Sequence, residues 1–172
     1  MTIRFLGLDP GLRATGWGII DANGNRLSPV ANGTVRAITD ASMAERLKYI
    51  CSEVTRVIGE FLPEECAVEE TFVNKNPIST LKLGHARAAA IIGAAQAGLY
   101  VAEYAPNAVK KAVVGAGHAD KKQVASMVNM LLPNANPESA DAADALAVAI
   151  CHAHHRATNT TLTRALAVGR AQ

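Results

Sequence analysis

An α/β domain with a mixed five-stranded sheet flanked by helices is the architecture this 172-residue sequence predicts. Three observations carry the prediction. The opening third alternates short β-prone apolar runs with turn signals, which reads as an antiparallel meander. Two later apolar runs, at 66–69 and 99–105, each follow a helical stretch, and a strand reached through a crossover helix pairs parallel with its neighbour. After the last strand the pattern is helical throughout. The order βββαβαβααα therefore joins a hairpin side to a crossover side in one sheet.

Each element has its own local cause. Residues 3–9 are apolar and end in Asp9-Pro10-Gly11, which stops a strand and starts a turn. Residues 16–20 and 27–36 form the next two strands around Asn23-Gly24, the strongest short hairpin signal. Ser42 with Glu45 three residues on is a capping box, and Met43, Leu47, Ile50, Val54, Val57, Ile58 and Phe61 recur at helical spacing until Pro63. Residues 78–97 are an alanine-rich helix. Pro106 opens a further helix at its favoured first position, and Gly115-Ala116-Gly117 breaks it. A helix over 120–132 stops at Pro133, and Ser139 caps a last helix running to about His155. The expected organisation is one domain over 1–156 and a tail over 157–172 that frays.

Composition narrows the classes. Hydrophobic residues make up 49% and charged residues 19%, which suits one globular domain and leaves no room for a second lobe. No apolar run approaches the roughly 18 residues of a membrane span, and the start MTIRFLGLD lacks a signal-peptide core, so no membrane association and a cytoplasmic location are expected. Three widely spaced cysteines, Cys51, Cys66 and Cys151, argue for free buried thiols rather than disulfides or zinc. Charge is unevenly placed. Residues 71–132 hold seven basic residues, Lys75, Lys82, Arg87, Lys110, Lys111, Lys121 and Lys122, against the two acids Glu103 and Asp120. Such a middle suits a polyanion, with a solvated helix face as the plain alternative.

Four acids fall at element ends or in apolar surroundings, where charge is costly. Asp9 ends the first strand and Glu69 the fourth, so parallel neighbours bring both to the carboxyl edge where open α/β sheets place ligands. Asp141 and Asp144 are three apart on the last helix and share a face kept free of bulk by Ala140, Ala142, Ala143 and Ala145. Together such carboxylates repel and raise one another's pKa values unless a cation lies among them. All-oxygen ligands favour Mg²⁺ or Mn²⁺. Two such ions activate water and stabilise the leaving oxygen of a phosphodiester without a protein nucleophile, so nucleic-acid hydrolysis is the natural chemistry. Taken singly, Asp9 also reads as an Asx-turn residue, Glu69 as an edge charge, and Asp141 as a dipole-complementing acid.

The segments LGLDPGLRATGWGII, AVEETF, NPISTLKLGHARAAA, VKKAVVGAGHADKKQV and DAADALAVAICH closely resemble the RuvC family of crossover (Holliday) junction endodeoxyribonucleases, in order and spacing, from about Ile3 to His152. The resemblance implies a ribonuclease-H-like fold, a homodimer, and metal ligands at Asp9, Glu69, Asp141 and Asp144, with Mg²⁺ (Mn²⁺ as a substitute) and two ions once substrate is bound. It implies four-way junction DNA as substrate, symmetric paired nicks, a role in recombination and repair, and association with the RuvAB branch-migration complex. Phe72 matches an aromatic that stacks on an unpaired base at the crossover, with a core anchor as the alternative. Lys110 and Lys121 match lysines near the scissile phosphate, while Lys75, Lys82 and Arg87 are candidates for tracking the DNA backbone, each also readable as plainly solvated. His118 departs from the small hydroxyl residue expected there and leaves the next helix cap open.

His152, His154 and His155 offer one suitable helical pair and read as complementing a helix C-terminus rather than as a zinc site. Two rival functions stay open. DPGLRATG also resembles the first phosphate loop of actin-like ATPases and sugar kinases, although these need a second lobe. A junction-binding scaffold with structural acids is the other.

Overall fold

The computed structural model describes residues 1–38, 40–70 and 76–169, with side chains described as far as 158. Its elements are β1 (Ile3–Asp9), β2 (Ala14–Asn23), β3 (Arg26–Arg36), α1 (Met43–Phe61), β4 (Glu65–Glu69), α2 (Pro77–Gln96), β5 (Tyr100–Tyr104), α3 (Pro106–Val114), α4 (Lys121–Leu131) and α5 (Ala140–Gly169). The strands lie in the order β3-β2-β1-β4-β5. β1, β2 and β3 pair antiparallel, and β4 joins β1 and β5 in parallel, as the crossovers require.

Alternation along β1 divides the core. Leu6 and Leu8 point to one face with Ile19, Cys66 and Val68, where Ile50 and Val54 of α1 and Ala86, Ala90 and Ala94 of α2 cover them. Phe5 faces the other way with Ile20 and Ala67, under Val109 and Val113 of α3, Val128 of α4 and Leu146 and Ile150 of α5. Period-two burial in a central strand thus makes two layers of helix on one sheet. Caps fix the helix starts. Ser42 and Glu45 form the expected box on α1, Asn76 accepts from the amides of Ile78 and Ser79 at the head of α2, and Asp120 with Gln123 boxes α4. The cap left open by His118 is therefore Asp120.

Three features differ from expectation. The first hairpin turns at Gly24-Asn25 rather than Asn23-Gly24, because Asn23 still pairs with Arg26; Gly24 takes φ +60, which suits a glycine at the first central position of a type II′ turn. β3 carries Pro29, and the register shifts between Ile19 and Ile20 beside it, as an edge strand tolerates. α5 extends to Gly169, well beyond His155, because no proline or glycine interrupts it before then. The three histidines accordingly sit inside the helix and not at its end.

Candidate functional site

Register brings the first two acids together. Leu8 of β1 pairs with Val68 of β4, so Asp9 and Glu69 are the next residues on adjacent parallel strands, at the carboxyl edge of the sheet. Both lie on the α5 side, since they alternate with Leu8 and Val68 on the opposite face.

Close backbone packing delivers the other two. β1 and β2 present Gly7, Gly16 and Gly18 to α5. A Cβ on Gly16 would collide with the Asp141 carbonyl, one on Gly18 would lie 2.7 Å from Leu146, and one on Gly7 would strike the Ala145 carbonyl and lie 2.9 Å from the Ala149 Cβ. Only bare backbone lets the helix lie this low. Gly16 is the β2 partner of Asp9, so the first turn of α5 is seated directly beside the end of β1. In sequence Gly16 and Gly18 read only as part of a strand; a Gly-x-Gly run within an apolar strand is the signal for close approach of another backbone.

Electrostatics report the crowding. Burial, and then repulsion from Glu69, Asp144 and Asp141, pushes the Asp9 carboxyl up to about 7 from 3.8. Burial and then Asp144 also raise Glu69, against the pull of Lys121, a hydrogen bond with Asp9, and Lys110. A hydrogen bond between two carboxyl groups requires a proton on one of them, and Asp9, pushed up to about 7, can hold it. The Lys121 ammonium sits 3.1 Å from Asp144 Oδ2, and this contact raises its own pKa. Thus Asp9 feels the other three acids and Glu69 feels Asp144, while Lys121 acts on both and Lys110 on Glu69.

These residues fit a divalent cation by donor chemistry: four carboxylates, no soft ligand, and a repulsion that a cation relieves. Among the described residues no three acidic, histidine or cysteine side chains close into a finished cage. An open edge of this kind suits ions whose remaining positions are filled by water and substrate oxygens.

The other expected contacts separate. Lys82 is exposed on α2. Arg87, half-buried on the same helix, pairs with Glu103 of β5. Phe72 and Lys75 lie outside the described residues. His152 is buried: its Nδ1 is 2.9 Å from the Tyr104 hydroxyl and its Nε2 2.9 Å from Glu65 Oε2. Burial lowers its pKa. A neutral ring donating from Nε2 to the carboxylate accepts the tyrosine proton at Nδ1, so every hydrogen bond is satisfied without a metal.

Sheet order, two-sided helical cover and an acidic edge fed by β1, β4 and the last helix define a protein of the ribonuclease-H-like class. A family model described as crossover junction endodeoxyribonuclease RuvC matches residues 5–152. The chain belongs to this family of nucleases. It is 58% identical over 165 residues to the crossover junction endodeoxyribonuclease RuvC of Paramagnetospirillum magneticum, covering 96% of this chain and 99% of that one. It is 56% identical over 155 residues to the Brucella ovis protein of the same description, covering 90% of each. Among solved structures, T. thermophilus RuvC in complex with Holliday junction substrate superposes with a TM-score of 0.85 at 33% identity, covering 92% of this chain and 97% of that chain.

Proposed function

We propose that this chain is a divalent-metal-dependent endonuclease that resolves four-way DNA junctions by paired symmetric nicks, in recombination and repair. The observation that carries the reading is the carboxylate edge itself, where burial first, and then repulsion from three neighbouring acids, pushes Asp9 up to about 7. A stable protein has no use for such a concentration of negative charge unless something positive visits it.

Asp9, Glu69, Asp141 and Asp144 are the residues that would hold the metal, Mg²⁺ with Mn²⁺ as a substitute and two ions once DNA is present. Bound there, the metal supplies an activated water and stabilises charge on the leaving oxygen. The protein's own part is to orient. Strands fix Asp9 and Glu69, the seated helix fixes Asp141 and Asp144, and Lys110 and Lys121 bring positive charge to the phosphate being cut. Phe72 stacks at the crossover, and Lys75, Lys82 and Arg87 follow the backbone, Arg87 by releasing or sharing Glu103.

The working unit is a homodimer. α2 buries Ala86, Ala89, Ala90, Gly93 and Ala94 against its own domain, yet it exposes Ile78, Leu81 and Ile92. A second apolar stripe on one helix suits a second copy. Association with the RuvAB complex follows from the family resemblance. Among the described residues no helix is long and apolar enough to cross a membrane; a cytoplasmic location is part of the proposal.

A synthetic four-way junction incubated with protein and Mg²⁺, beside linear duplex and an EDTA control, tests the reading. Asp9→Asn should abolish cleavage while junction binding persists. Cleavage by that variant at the wild-type rate would refute the metal assignment, and a wild-type protein that binds without nicking would favour the scaffold.

A further inference from the structure

We infer that Thr34, through Ser139, is a positioning residue that sets Asp141 across the Gly16 seat. This rests on the nuclease reading above. Three residues form a straight line across the sheet: Asp9 pairs with Gly16, and Gly16 pairs with Thr34. Cross-strand partners share a face, so all three look toward α5. The middle of this row is empty of side chain, and the Asp141 backbone occupies the gap.

On the far side of the gap, Thr34 Oγ1 lies 2.5 Å from Ser139 Oγ. Ser139 is the cap of α5: its hydroxyl accepts from the Ala142 amide at 3.0 Å, and its carbonyl accepts from the Ala143 amide at 3.1 Å. With its oxygen already accepting from Ala142, the serine still has a proton to give Thr34 and lone-pair capacity to receive one. The preceding loop is tied to the same strand. Asn32 donates to the Ala135 carbonyl at 2.8 Å and accepts from the Glu138 amide at 3.2 Å.

An edge strand thus grips the first turn of the helix that carries two of the four acids. Gly16 permits close approach but has no directional contact to fix where along the row the turn comes to rest. Thr34 supplies that direction. Without its hydroxyl, Ser139 keeps capping α5, so the helix persists while its first turn gains freedom to shift relative to Asp9. A carboxylate that must share a cation with partners on other elements is sensitive to such shifts, since a displacement of about 1 Å costs up to about 100-fold in rate.

The test compares Thr34→Val, which keeps the shape and removes the hydroxyl, with Thr34→Ser, which restores it. Junction cleavage, junction affinity in EDTA, Mn²⁺ affinity by calorimetry, and melting temperature are measured on each. Thr34→Val should lower kcat by about 10- to 100-fold and weaken Mn²⁺ binding, with junction affinity within about twofold of wild type. Thr34→Ser should recover most of both. Ser139→Ala breaks the same link and also removes the cap on the Ala142 amide, so it should impair cleavage and Mn²⁺ binding at least as much as Thr34→Val and melt lower, while the double variant should be no worse than Ser139→Ala alone.

Wild-type cleavage and Mn²⁺ affinity in Thr34→Val overturn the inference, as does failure of Thr34→Ser to restore them. A loss that tracks melting temperature across all variants also overturns it, since that is a folding defect alone. Asp9→Asn, run in parallel, separates the two levels. If it cuts normally, the site reading has failed; if it is inactive while Thr34→Val is normal, only the positioning role has failed.

Discussion

Asp9 is strained by two effects that respond differently to solution conditions: burial, which is permanent, and repulsion from Glu69, Asp144 and Asp141, which a proton or a cation relieves. Its ordinary value is 3.8 and its folded value about 7. Between those limits the folded chain holds a proton that the unfolded chain has released. Stability of the metal-free protein therefore falls as pH rises through that window, with the full penalty present above about 7. Asn at this position cannot ionise and keeps much of the shape. Metal-free Asp9→Asn should melt above wild type at about pH 8.5, and the gap should narrow toward about pH 5 as wild-type Asp9 takes up its proton. Differential scanning fluorimetry in EDTA across that range reads it directly. A gap independent of pH would mean that neither burial nor repulsion raises Asp9 in the folded chain. Sequence foretells that such acids raise one another once gathered, but not how far. The acids are legible as oddities in apolar contexts, but their mutual field depends on side-chain separation, which is a property of the folded register.

At the scale of elements, local chemistry made most of the fold readable. The Ser42-Glu45 box, Pro106 at a helix start and Pro133 after a helix end each act over a few residues, and the crossover rule then makes β4 and β5 parallel neighbours. Less legible were features set by a distant partner. Asn23-Gly24 is a sound turn signal, yet pairing of Asn23 with Arg26 moves the turn on by one residue. The His152 position reads as a helix end in sequence, and becomes a buried junction with Tyr104 and Glu65 once α5 crosses the sheet. Above all, the seat for α5 is made by the absence of side chains at Gly7, Gly16 and Gly18. Gly16→Ala should consequently raise the first turn of α5 from the sheet. Overpacking of this kind costs about 1–3 kcal/mol, which lowers the melting temperature by several degrees. Cleavage should fall further than that loss of stability accounts for, because Asp141 moves with the backbone that the new methyl group displaces. Comparing Gly16→Ala with Gly59→Ala, where a Cβ meets nothing within 4 Å, isolates the effect. Equal activity in the two variants would detach the glycine seat from catalysis.

The whole molecule poses a problem of symmetry that a single chain does not solve. With the acidic edge as the proposed cutting site, one chain offers one such edge, whereas resolving a four-way junction takes matched cuts in two strands of like polarity. A two-fold pair of chains meets that requirement, because an isologous contact repeats each site with the same relation to its substrate strand. α2 is the element suited to the contact. Ile78 and Leu81 are each 65% exposed and Ile92 49%, at helical spacing, along a stripe that flanks the small residues buried against the domain. Burying such a side chain contributes about 1.5–3 kcal/mol, and a carboxylate placed among apolar partners reverses the sign. Ile92→Glu should convert a dimer to a monomer in light scattering after size exclusion, with the melting transition of the individual domain little changed since the side chain already faces outward. The same variant should retain an intact acidic edge. Its products on a junction held in a supercoiled plasmid should shift from paired cuts to single nicks, because the second cut then waits for another chain to arrive. Paired cutting by a protein that remains monomeric would show that the two incisions do not depend on dimer symmetry.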